Sequence, residues 1–257
     1  MTAGIIPDST SVQEVYTMID ISNLSKSYNN GQVKAVEGLD LKVSRGEIFG
    51  FLGPNGAGKT TTIKMIVGLL NPDSGSIIID GTDIAKEPIE AKRKMGYVPD
   101  EPVLYERLTG IEYLNFMADV YQVPASVRKE KIEYFLEMFN LRDAAADLIR
   151  SYSHGMRQKT ALAGALLHDP KLWILDEPMV GLDPKSSHLL KIQMREHCDK
   201  GNTVFFSTHV LEVAEKLCDR VAIINKGKLI AIGTIDELRH GDKKDSLEKI
   251  FLELTEQ

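Results

Sequence analysis

The sequence reads as an α/β protein: a mainly parallel sheet with helices on both faces, an N-terminal antiparallel β part, and an inserted helical lobe. Three observations predict this. The runs Glu47-Ile48-Phe49-Gly50-Phe51-Leu52, Lys171-Leu172-Trp173-Ile174-Leu175 and Thr203-Val204-Phe205-Phe206-Ser207 are continuously apolar in their middles, as parallel strands covered on both faces are. Residues 19–43 alternate instead, with Asn29-Asn30-Gly31 as a turn, which suits antiparallel strands. From about residue 101 to 168 apolar residues recur at helical spacing, most clearly over 111–121 and 128–140.

The remaining elements follow in order. Asn71-Pro72-Asp73-Ser74-Gly75 breaks the chain, and 76–80 reads as a short strand. Residues 220–233 read as a hairpin turning at Lys226-Gly227, and 246–256 as a closing helix. With 257 residues, 43% of them hydrophobic and 26% charged, the chain has the bulk of one large domain or of a core with an inserted lobe. A formal net charge of −6 and the lack of a dense Lys/Arg block argue against a nucleic-acid surface. No apolar run approaches the ~18 residues of a membrane span. Residues 1–17 lack the basic and apolar regions of a signal peptide, and Pro7, Asp8, Ser9, Thr10 and Ser11 suggest a loose leader. Cys198 and Cys218 lack metal-ligand spacing and read as reduced structural residues of a cytosolic protein.

One segment carries explicit chemistry. Gly53-Pro54-Asn55-Gly56-Ala57-Gly58-Lys59-Thr60 is a full match to the phosphate-binding loop G-x-x-x-x-G-K-[ST]. Glycines let successive backbone N–H groups point at phosphate oxygens, Lys59 reaches the β- and γ-phosphates, and the Thr60 hydroxyl can ligate Mg²⁺. The apolar strand before the loop and the amphipathic 61–68 after it, opening with Thr61, put the phosphates at a helix N-terminus. The core is therefore expected to be that of a P-loop NTPase.

Two further segments fit such a core. Leu172-Trp173-Ile174-Leu175-Asp176-Glu177-Pro178 is an apolar strand ending in two acids. Successive strand side chains face opposite ways, so the two acids take different tasks. Asp176 would hold Mg²⁺, and Glu177 would polarise the water that attacks the γ-phosphate. Ser153, ahead of a helical run with Gly155 in its first turn, leaves a hydroxyl and free N–H groups at a positive helix end, a second anion site.

In this order the motifs resemble those of the ATP-binding subunit of an ABC transporter, from about residue 19 to the end. Tyr97-Val98-Pro99-Asp100 falls where the family has its Gln-loop, and Ser153-His154-Gly155 resembles its signature. Gly181-Leu182-Asp183-Pro184 is similar to the D-loop, and Ser207-Thr208-His209 to the switch-histidine segment. The resemblance implies adenine stacking on Tyr28, γ-phosphate contact by His209, and ATP and Mg²⁺ as ligands. It implies a head-to-tail dimer with a second nucleotide-binding subunit, in which Ser153 and Gly155 act in trans and Asp183 bridges the subunits. Residues 18–257 would form a single nucleotide-binding domain, with the helical lobe at about 100–168 and a C-terminal hairpin and helix at about 220–257.

Two departures stand out. Asp100 replaces the usual Gln, one methylene shorter and charged; Mg²⁺ coordination through water is what the position implies. The usual Leu-Ser-Gly-Gly-Gln reads Tyr152-Ser153-His154-Gly155-Met156 here. The signature segment, Pro99-Asp100-Glu101-Pro102-Val103-Leu104-Tyr105-Glu106 and the C-terminal 246–254 resemble subunits of bacterial drug and polysaccharide exporters. That branch implies a separate transmembrane permease, received at 100–106, and a peripheral place on the cytoplasmic face of the cell membrane. The competing class is a soluble cassette ATPase acting on ribosomes or DNA. A P-loop GTPase is disfavoured because Asn225-Lys226-Gly227-Lys228 ends in Lys where the guanine-reading pattern has Asp.

Overall fold

Alternation builds the first layer of the computed structural model, which describes residues 17–239 and 246–255. β1 (Thr17–Tyr28) and β2 (Val33–Ser44) pair antiparallel and bury Ile19, Ile21, Leu39, Leu41 and Val43. The leader expected before β1 lies outside the described residues, apart from Thr17, which opens that strand. β3 (Ile48–Leu52) is buried along its whole length and runs into the phosphate loop and α1 (Lys59–Ile66). β4 (Ser74–Ile79) and β5 (Thr82–Asp83) follow, and β4 aligns beside β1 with Ile19 opposite Ile79. The strand expected at 76–80 thus joins the antiparallel layer, giving a four-stranded sheet in the order β2-β1-β4-β5.

After α2 (Pro88–Arg93) comes β6 (Met95–Val98), a strand that the sequence pattern does not announce. Four residues that include Gly96 are too short and too mixed to show a period. α3 (Gly110–Val120) is opened by a capping box between Thr109 and Glu112. α4 (Ala125–Met138) and α5 (His154–Leu166) pack with it around Leu114, Phe135, Phe139 and Leu162. The chain then returns to the core with β7 (Leu172–Asp176), α6 (Pro184–Asp199), β8 (Thr203–Thr208) and α7 (Leu211–Leu217). It closes with the hairpin β9 (Arg220–Asn225) and β10 (Lys228–Gly233), α8 (Ile235–Leu238) and α9 (Leu247–Thr255).

The second sheet has six strands in the order β10-β9-β3-β8-β7-β6, parallel except for the β10 edge. Its two faces feed three cores, the third formed by Leu52, Val221 and Ile223 against α7 to α9. Trp173, Leu175, Val204 and Phe206 face the helices α3 to α6, whereas Leu172, Ile174 and Phe205 face α1 and the antiparallel sheet. Continuing that alternation along β7 points Asp176 to the face of α1. Because the strands are parallel and in register, Val98, Asp176 and Thr208 all end on one edge, beside Leu52 and the loop that follows it. That edge is where an open α/β sheet binds its ligand.

One ionic hub ties the layers together. Asp80, at the end of β4 with only 4% of its side chain exposed, pairs with Arg45, with Lys171 at 3.1 Å and with Lys94 at 3.6 Å. Burial pushes its carboxyl upward, but the Lys171 hydrogen bond and the charges of Lys171, Arg45 and Lys94 outweigh it and hold the group below its ordinary value.

Candidate functional site

The turn after β3 is shaped by two glycines that admit no substitute. A Cβ on Gly53 would collide with the Ile224 carbonyl, and one on Gly58, at φ +112°, would collide with the Ala35 carbonyl. Gly58 also caps α1 with no side-chain bond, and the helix has no acid in its first turn. Its first N–H groups are therefore left for an outside anion. Lys59 is 6% exposed; its ammonium donates to the Gly53 carbonyl at 2.7 Å and the Pro54 carbonyl at 3.3 Å, and lies 3.5 Å from Glu177 Oε1. A compact cation beside uncapped N–H groups suits a phosphate chain. Thr60 is exposed at this opening, Thr61 half-buried, and Asn55 and Gly56 lie at its rim.

The acidic pair divides as strand alternation requires. Asp176 is 1% exposed and accepts a 2.5 Å bond from the Ser207 hydroxyl. Glu177 follows with φ +47°, left-handed for a residue with a side chain, and its N–H donates to Ser207 Oγ at 3.1 Å. One hydroxyl on β8 thus fixes both acids. Glu177 Oε2 sits 3.0 Å from His209 Nδ1, half of whose side chain is exposed. The carboxylate is held at both oxygens yet remains reachable by water.

A cleft of about 420 Å³ runs from this centre outward, lined by Tyr28, the phosphate loop, Asp100 and Glu177. Tyr28 is 41% exposed at its outer end. Asp100 is pushed above its ordinary value, first by burial and then by the charges of Asp176, Glu177 and Glu101, with His154 opposing. The Thr60 hydroxyl and the two carboxylates Asp176 and Asp100 are hard oxygen donors, a set that fits a small divalent cation. Sequence reasoning located the β9–β10 turn but not its place at this cleft. Lys226 lines the cleft, and the Gly227 N–H donates to the Ala57 carbonyl at 2.9 Å. A cationic turn more than 160 residues downstream carried no signal of that placement.

Ser153, Gly155 and Asp183 do not line this cleft. The Ser153 hydroxyl caps α5 by accepting from the Met156 N–H at 3.3 Å. Asp183 caps α6: its carboxylate accepts from the Ser186 hydroxyl at 2.6 Å and N–H at 2.9 Å, and pairs with Lys159 at 2.9 Å. These partners hold its carboxyl well below the usual range. A larger cavity, about 590 Å³ between α4 and α6, has no phosphate loop in its wall and is set apart from the chemistry.

Residues 36–180 match the sequence pattern of the ABC transporter family, more than half of the chain. The chain belongs to the ABC transporter family. It is similar to the linearmycin resistance ATP-binding protein LnrL of Bacillus subtilis, 42% identical over 221 residues that cover 86% of this ABC subunit and 70% of LnrL. A solved structure of the ATP-binding subunit of an ABC transporter superposes with a TM-score of 0.88 and 37% identity, covering 93% of this chain and 99% of that one. The dimeric post-hydrolysis state of an ATP-binding cassette bound to ADP and Pi superposes with a TM-score of 0.77 and 25% identity, covering 85% and 99%. This ABC protein is an ATP-binding subunit of a transporter and an ATP hydrolase.

Proposed function

We propose that this ATPase works as one half of a head-to-tail pair of cassettes that drives a separate membrane permease. The observation that carries the reading is the division of the phosphate-facing groups. Lys59 and Glu177 line one open cleft, with His209 bonded to Glu177 and Asp176 next to it at the end of β7, while Ser153 and Gly155 lie outside it at the start of α5. A second chain, turned about, would bring its Ser153 and Gly155 to the γ-phosphate held here, with Asp183 at the seam. Residues 18–257 act as one nucleotide-binding unit in this arrangement.

Within the site, Gly53, Pro54, Asn55, Gly56, Ala57 and Gly58 wrap the phosphates, Lys59 neutralises the β- and γ-oxygens, and Tyr28 stacks on adenine. Thr60, Asp176 and Asp100 would hold Mg²⁺, which supplies charge neutralisation on the transferring phosphoryl group. Glu177 orients and polarises the attacking water, and His209 fixes Glu177 while contacting the γ-phosphate. Loss of that phosphate removes the link between the two chains and reopens the pair. Tyr28→Ala should raise KM for ATP about tenfold with kcat nearly unchanged, the low end of a stacking contribution because the ring is partly exposed. Steady-state kinetics checks this; an unchanged KM removes Tyr28 from the site.

The permease contact is supported by an apolar patch. Val103 is 94% exposed, and Tyr105 and Phe116 are 58% and 40% exposed with their rings edge-to-face at 5.1 Å. Glu106 beside them pairs with Arg157 of α5 at 2.9 Å, joining the patch to the helix that Ser153 caps. No helix among the described residues is long and apolar enough to cross a membrane. The likeness to a drug-resistance protein supports outward transport, with the subunit held peripherally at the cytoplasmic face.

The deciding experiment purifies tagged Glu177→Gln protein with Mg-ATP from detergent-solubilised membranes. A polytopic membrane protein should come with it, absent from a Lys59→Ala control and reduced when Tyr105 and Glu106 are both changed to Ala. Ribosomal proteins or DNA-bound factors in its place would replace the transport reading with that of a cassette ATPase lacking a permease.

A further inference from the structure

His154 has no task in the reading above. It opens α5 between Ser153 and Gly155 and is exposed, so packing of its own helix does not require it. Yet its ring lies against a distant turn. A Cβ built on Gly181 would come within 2.6 Å of His154 Nε2 and closer still to Cδ2. A Cβ on Gly155 would stand 3.1 Å from the Gly181 carbonyl oxygen. The start of α5 and the turn at Gly181 therefore meet backbone to backbone, with the imidazole as the side chain between them.

That turn is the one that carries Glu177. The Val180 N–H donates to the Glu177 carbonyl at 3.1 Å, and the Leu182 N–H to the Met179 carbonyl at 3.3 Å. Both ends of the segment are left-handed, Glu177 at φ +47° and Gly181 at φ +77°. A backbone with a left-handed glutamate persists only where its surroundings fix it. At the Glu177 end, Ser207 and His209 do so. At the far end the anchors come from α5: the His154 ring on Gly181, and Lys159 on Asp183.

We propose that His154 is a positioning residue that braces the 177–181 turn from the start of α5 in the same chain and so holds the Glu177 carboxylate in its working orientation. The inference rests on the reading of Glu177 as the carboxylate that polarises water. A side chain at position 181 would be strained by its φ of +77° and would have to push the imidazole aside. The brace is distinct from a phosphate contact, because it acts through the backbone of the turn.

The test compares His154→Ala, Glu177→Gln and the double variant in full-length protein, with single-turnover ATP cleavage, KM and thermal melting for each. Loss of the brace lets Glu177 drift, so His154→Ala should lower kcat by about ten- to a hundredfold, with KM and Tm held. In the Glu177→Gln background the same change should lower the residual rate no further, since residues acting as one unit are non-additive. Unchanged kcat in His154→Ala, or a loss that multiplies undiminished in the double variant, would overturn the inference; the latter is what direct phosphate contact predicts. Near-normal cleavage by Glu177→Gln alone would instead remove the reading of Glu177, and the brace with it.

Discussion

Glu177→Gln should bind ATP as the parent does and cleave it at least about a hundredfold more slowly, the range lost with a general base. The substitution is nearly isosteric. It keeps an oxygen that can accept from His209 and leaves the turn and its left-handed residue in place. What disappears is the charge that sits 3.5 Å from Lys59 and can polarise water. Binding depends on Lys59 and on the uncapped start of α1, neither of which changes. With the γ-phosphate retained, the variant should accumulate as a closed pair of chains in Mg-ATP. Light scattering and phosphate release together check this; near-parental turnover would remove Glu177 from its role.

Asp80→Asn should lower stability by about 2–4 kcal/mol although it removes no packed volume. Asparagine tolerates the φ of +47° found at this position, so the backbone is spared and the loss is that of charge. Arg45, Lys94 and Lys171 would then face one another across a neutral amide. The cations are partly exposed and can turn toward water, which keeps the cost below that of a wholly buried network. The pH dependence follows from the sign. The folded carboxyl is held below its unfolded value, so its contribution is complete above the unfolded pKa of about 4 and is lost as pH falls through the folded one. Denaturant titration of the parent should therefore show a loss of stability below about pH 4 that the Asn variant lacks in part.

The parts of this fold that were legible in the sequence are those in which one stretch of chain carries its own signal. The phosphate loop is a contiguous pattern because one turn does the work. The strands at Phe49, Ile174 and Phe205 declare themselves because both faces of each are buried. The hairpin at Lys226-Gly227 is local too. What could not be read depends on meetings between distant segments. β6 is too short to show a period, and it is a strand because β7 offers it a ladder. Asp80 looks like a turn residue until Lys171, 91 positions away, reaches it. Lys226 enters the cleft only because β9 lies beside β3. Likewise, His154 and Gly181 each look like loop residues, and their contact exists only once α5 and the end of β7 are docked.

The central position of β3 has a consequence for how the chain is made. Its hydrogen-bonding neighbours are β8 and β9: Ile48 lies opposite Val204, and Phe49 opposite Arg220. A ribosome adding about 5–20 residues per second leaves this apolar strand without a ladder for on the order of ten seconds or more. During that interval the nascent chain carries Phe49, Phe51 and Leu52 unpaired, a hazard for wrong association. The nucleotide pocket is thus a late product of synthesis: its floor is translated early, but its walls arrive only when the last parallel strand emerges.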